Sequence, residues 1–245
     1  MLPTTELTEA IEGLYRVFHK YPLRTDTDCG DCFGHEEEKL HSKPLRELTR
    51  DDLDIYAMDA LYTWGTGDDF KHFIPRIFEL LVGNSKHCSG PSLPSLVLAK
   101  LSYDSWCSTH WRSWPEEEQR AIENFLSTVW GAALESDLED LPFDGAYGQA
   151  IATLEADISK YLERWLRADS VNSNRNLALM IVQIHKLALS GHAAQLEWRP
   201  LEGQRDQLDE WLYSPEVKQK LMRAFESWPE QPFASEFENA AILLP

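Results

Sequence analysis

An all-α protein is predicted by three features of the chain: helical hydrophobic periodicity along most of its length, almost no strand-like alternation, and repeated helix-start signals. The expected architecture is a set of stacked antiparallel helical hairpins, HEAT-like or an irregular bundle. It is read as a subdomain over 1–136 and another over 145–245, or as one continuous domain. No fixed repeat of 30–50 residues is found, so a regular solenoid is not expected.

The first helix is read from Leu7, Ile11, Leu14 and Phe18, spaced four, three and four residues apart, and is expected to end near Tyr21-Pro22. A second starts at Thr49, with Asp52 three residues on in a capping-box pattern. Its buried face is read as Leu53, Tyr56, Ala57, Ala60, Leu61 and Trp64, with Gly65 as its stop. In the segment 68–81, Asp68 and Asp69 suit a helix N-terminus, and Phe70, Phe73, Ile74, Ile77, Phe78 and Leu81 form a wide apolar face. Pro75 there is expected to kink the helix or to begin a new one. The Ser-, Gly- and Pro-containing span 84–94 reads as a loop.

Ser113-Trp114-Pro115-Glu116-Glu117-Glu118 reads as a start with Ser as cap, Pro in the first turn and carboxylates at the positive pole, and the helix is expected to run to about Leu134. The acidic stretch 137–147 is the expected connector. Further helices are expected near 147–168, 174–190, 202–212, 215–227 and 235–243.

Composition sets the class. The 245 residues are 43% hydrophobic and 26% charged, which suits a globular chain. No stretch approaches the ~20 apolar residues of a membrane span. Residues 1–6 carry neither a basic nor an apolar signal region, and four cysteines are too few for a disulfide scaffold, so a soluble cytoplasmic protein is expected. The formal net charge is −18. Up to Ile122 there are 13 basic and 21 acidic residues, and after it 10 and 20, so both halves are acidic. Such a field repels a phosphate backbone, so no nucleic acid is expected; it speeds association with a basic protein.

The motifs Ser42-Lys43-Pro44-Leu45-Arg46-Glu47-Leu48-Thr49, Thr63-Trp64-Gly65 and Asp69-Phe70-Lys71-His72-Phe73-Ile74-Pro75-Arg76, with Cys29-Gly30-Asp31-Cys32 upstream, resemble an uncharacterised family of bacterial proteins. Ser214-Pro215-Glu216-Val217 and Phe225-Glu226-Ser227-Trp228 extend the resemblance over most of the chain. It implies a bacterial, helical, cytoplasmic protein and supplies no activity or catalytic residues.

Three groups are candidate sites. Cys29 and Cys32 have the two-residue spacing that lets two thiolates meet one Zn²⁺, and His35 and His41 follow as further ligands of a structural site; the alternatives are a redox pair or a reduced pair without metal. No other cofactor is expected. Asp68, Asp69 and His72 lie within one helical turn and could serve as an acid–base or metal group, as a contact surface, or as a helix cap whose histidine satisfies backbone or carboxylate. Trp106, Trp111, Arg112 and Trp114 read either as exposed interface anchors or as groups pinning their loop to the helices.

Phosphate-loop, HExxH, GxSxG and EF-hand patterns are all missing from the sequence. The functional expectation is therefore a non-enzymatic protein-binding protein, monomeric or a small oligomer, with no membrane role. Its sharpest form is an immunity or antitoxin-type protein masking a basic toxin domain. The alternatives are a metal-dependent enzyme using Asp68, Asp69 and His72, and a structural zinc-binding adaptor.

Overall fold

A computed structural model describes residues 4–24, 34–83, 94–102, 110–136, 148, 151, 154–189 and 202–245. Among these the protein is all-α, with eleven α-helices and no strand. They are α1 (Thr5–Phe18), α2 (Gly34–His41), α3 (Arg50–Asp59), α4 (Gly67–Gly83), α5 (Pro94–Ala99), α6 (Glu116–Leu134), α7 (Ser159–Arg167), α8 (Val171–Leu189), α9 (Glu202–Leu212), α10 (Pro215–Ser227) and α11 (Ala234–Ile242). No described helix is long and apolar enough to cross a membrane. The chain divides into two compact units, Met1–Val129 and Trp130–Pro245, and the division falls within α6. The acidic stretch 137–147 lies outside the described residues.

In unit 1, α4 packs against α1 and α3, and α3 also packs against α2 and α5. The apolar stripe of α1 is buried as its periodicity predicts, with Leu7, Leu14 and Phe18 at 0–1% exposure. Pro75 lies inside α4, which continues through it to Gly83.

The second predicted helix stops earlier than its periodicity suggests. It ends at Asp59, and Ala60 to Trp64 fold into a tight turn in which Leu61 N–H donates to the Trp64 carbonyl at 3.2 Å. Leu61 has φ 68° and Gly65 φ 74°, both left-handed. The helical stripe fails here because Ala60, Leu61 and Trp64 are buried through a turn, which hydrophobic spacing alone does not distinguish from a helix. Lys100, itself 3% exposed, stabilises the turn by donating to the carbonyls of Met58 and Ala60, both at 2.7 Å. Glycine is needed at 65 on two counts. Its φ is positive, and a Cβ there would meet the Asp69 Cβ at 3.2 Å.

In unit 2, α11 packs against both α8 and α10, and α7 packs against α9 and α10. The helix expected over 147–168 is interrupted, since Glu155–Ile158 are not helical and α7 begins at Ser159. Two side-chain amides, the half-buried Gln207 and the buried Gln204, account for the break: Gln207 Oε1 accepts from the Ile158 N–H at 2.8 Å, and Gln204 Nε2 donates to the Glu155 carbonyl at 2.9 Å. Trp165 lies at the centre, edge-on to Trp130 (5.6 Å) and stacked on Trp211 (5.5 Å), with its indole N–H donating to the Ser173 carbonyl. Trp130 donates in the same way to the Tyr161 carbonyl at 2.9 Å. Trp130 and Trp165 thus bury large rings without orphaning their donors.

Candidate functional site

The pattern Thr66-Gly67-Asp68-Asp69 repeats the threonine-to-aspartate spacing of Thr49–Asp52, and both form the same cap. Asp52 Oδ2 accepts from the Thr49 N–H and hydroxyl, each at 2.7 Å. Asp69 Oδ2 accepts from the Thr66 N–H and hydroxyl at the same distances. In each case the first-turn carboxylate satisfies an otherwise orphaned donor at a positive helix pole. Asp69 also pairs with Arg24 at 3.3 Å and is 1% exposed.

The three residues singled out at the start of α4 point to different tasks. Asp69 is committed to the cap and to Arg24, whereas Asp68 is exposed. His72 Nδ1 lies 2.7 Å from the Tyr21 carbonyl, an arrangement in which Nδ1 carries the proton and donates. Arg76 donates to the Leu48 carbonyl at 2.6 Å and pairs with Glu79 at 2.7 Å. Of the readings offered for this turn, the bonding matches the helix cap whose histidine satisfies backbone.

Around Tyr21 the chain assembles a polar cluster that motif spacing does not reveal. Glu118, in the first turn of α6, has no solvent exposure. Its carboxylate accepts from the Tyr21 hydroxyl at 2.6 Å and pairs with Lys20 at 2.8 Å and Lys71 at 2.9 Å. Burial opposes ionisation of Glu118, but the Lys20, Tyr21 and Lys71 contacts outweigh it and hold the carboxyl below its usual range. Burial first, and the neighbouring Glu118 second, push the Tyr21 phenol well above its usual range. Lys71 also donates to the Tyr21 hydroxyl at 3.1 Å and lies 4.4 Å from the centre of the Trp114 ring, a cation–π contact. A carboxylate held ionised with this set of donors is a fixed counter-charge. It is poorly suited to abstract a proton near neutral pH.

Two of the three clustered tryptophans lie inside the fold. Trp111 and Trp114 are buried, at 0% and 6% exposure, and Trp114 meets Phe18 edge-on at 6.2 Å. Both rings are internal, and Trp114 pins this segment to α1 and α4 through Phe18 and Lys71. Arg112 is partly exposed, lies over the Trp111 ring at 4.0 Å and pairs with Glu123. Trp106, Cys29 and Cys32 lie outside the described residues, as does the side chain of His35 in α2, and His41 is exposed at the end of that helix. Among the described residues no group of three or more His, Cys, Asp or Glu gathers in a way that could hold a metal.

Glu118, Lys71, Lys20 and Tyr21 are the members of the cluster that motif reading misses. A signal for two of them exists. Glu118 extends the buried stripe Ile122, Phe125, Val129 at spacings of four, three and four, and Lys71 extends Ile74, Phe78 at three and four. A charged residue on an apolar stripe is the mark of a buried, paired charge.

No family model, curated protein or solved structure matches the chain.

Proposed function

We propose that the protein is a non-enzymatic binding protein for a basic protein partner, and most specifically an immunity or antitoxin-type protein that covers a basic toxin domain. The observation that carries this reading is the distribution of charge. The net charge is −18, and cations such as Lys20, Arg24, Lys43, Arg46, Lys71 and Arg76 are already paired with carboxylates. The excess therefore lies on solvent-facing acids. In unit 1 these include Glu6, Glu9, Glu47, Asp51 and Asp68, none with an ion pair among the described residues. Uncompensated exposed carboxylates attract a positive surface, raise its association rate and can mask a basic active site.

An affinity pull-down of the tagged protein from its native cells tests the reading, at ~50 mM and then ~300 mM salt, with mass spectrometry of what is retained. The expected result is one stoichiometric basic protein that survives the higher salt through a specific contact core, and a toxin domain in it supports the sharper form. No partner at either salt, or an acidic one, contradicts the proposal.

A further inference from the structure

Unit 2 carries a groove whose lining holds two cations, Lys218 and Arg223, against one carboxylate, Glu226. Along one side of α10, Lys218, Met222, Arg223 and Glu226 recur at helical spacing, away from the buried Val217, Leu221 and Ala224. With Tyr213 ahead of the helix and Pro245, they line an open groove of about 750 Å³. Apolar surface is exposed in it, with Tyr213 at 53% and Met222 at 39%. Lys218 donates to the carbonyls of Leu244 and Pro245, both at 3.0 Å, and so fixes one wall.

Arg223 is exposed, and among the described residues its guanidinium has neither an ion pair nor a hydrogen bond. That is unusual in a chain with 41 acidic residues against 23 basic ones, where most described cations have found a carboxylate or a carbonyl. A guanidinium beside exposed methionine and tyrosine offers a fork for a carboxylate and an adaptable apolar floor.

We propose that this groove docks a segment of another protein that is both acidic and apolar, its carboxylate on Arg223 and its apolar side chain against Tyr213 and Met222. The proposal is independent of the basic partner above, because it uses a different surface and the opposite charge.

Among the described residues Met222 is the only methionine that lines the groove, so its ε-methyl is a local reporter. With ¹³C-methyl-methionine protein, an acetylated heptapeptide of alternating leucine and glutamate at up to ~1 mM is expected to shift the Met222 resonance and leave the other methionines in place. The leucine–lysine counterpart is expected to leave it unmoved. Arg223→Ala is expected to weaken the leucine–glutamate peptide about tenfold, one charge-assisted bond having been removed. A Met222 signal unmoved by the acidic peptide, moved equally by the basic one, or indifferent to Arg223→Ala overturns the proposal. So does a shift on dilution of the protein alone, which assigns the groove to a second copy of this chain.

Discussion

Unit 1 puts a fully buried carboxylate, Glu118, among Lys20, Lys71 and Tyr21, whereas unit 2 puts a fully buried indole, Trp165, among Trp130, Trp211 and the Ser173 carbonyl. The Glu118 carboxylate and the Trp165 indole each have polar partners, but the two centres fail differently. Removing Glu118 leaves cations without their counter-charge, and removing Trp165 leaves a void. The units share one device: each uses a buried lysine at a helix C-terminus. Lys100 donates to carbonyls at the end of α3 and Lys220 donates to the Ala168 carbonyl at the end of α7. Cations there complement the negative helix pole. A cluster of charged side chains in this protein is therefore first a packing solution, and the search for function moves to the groups packing leaves free.

Substitution at the two centres separates the mechanisms. Glu118→Ala is expected to destabilise the protein by about 3–5 kcal/mol, the cost of breaking a buried ion pair from one side. Trp165→Leu is expected to cost about 2–3 kcal/mol as a partly refilled cavity. Urea denaturation followed by amide exchange reads both values and locates the loss. If Glu118→Ala costs less than ~1 kcal/mol, the cluster is not the packing centre claimed for it.

The shared lysines give a pH signature common to both units. Burial lowers the Lys100 pKa from 10.5 to about 8, and burial likewise lowers that of Lys220. Between the folded and unfolded values the unfolded chain binds more protons, so stability rises with pH. For Lys100 the gain is fully developed only above the unfolded value, and by pH ~9.5 it is on the order of 1–2 kcal/mol. Tyr15, Tyr21 and Tyr56 oppose it further up: burial raises all three above 10, so their contribution is lost as pH climbs past that value. Thermal melts from pH 7.5 to 11 are expected to show a maximum near pH 9.5–10, and a monotonic fall from pH 8 contradicts the buried-lysine account.

The smallest effect is a gain. Among the described residues of unit 1 the buried Tyr56 hydroxyl has no hydrogen-bond partner. Tyr56→Phe is expected to stabilise the protein by about 1 kcal/mol by removing an unsatisfied polar atom. A loss of stability would place a partner at that hydroxyl.

The helical class, the stripes of α1, α4 and α6 and the Thr49 cap were legible in the sequence because periodicity and capping are local. The turn at Ala60–Gly65 was not, since Leu61 has a left-handed backbone in a turn held partly by Lys100, which is distant in sequence. The cap at Thr66 was readable from the same threonine-to-aspartate spacing as Thr49, yet Asp69 drew attention as a chemical group. Glu118, Lys71, Lys100 and Lys220 were hidden for one reason. Each lies on or beside an apolar stripe, where hydrophobic patterning treats a charge as an interruption, and their partners are far off in sequence. Trp111 and Trp114 carried both readings until burial separated them.

In the function proposed above, free surface carboxylates recognise a basic partner while the buried charges serve the fold. The most direct test compares wild-type protein with a Glu6→Gln/Glu9→Gln/Glu47→Gln/Asp51→Asn variant in the native-cell pull-down, with circular dichroism to check folding. The variant is expected to keep its helical spectrum and to lose most of the basic partner that wild type retains. Equal retention by both proteins, or no partner on wild type, contradicts it.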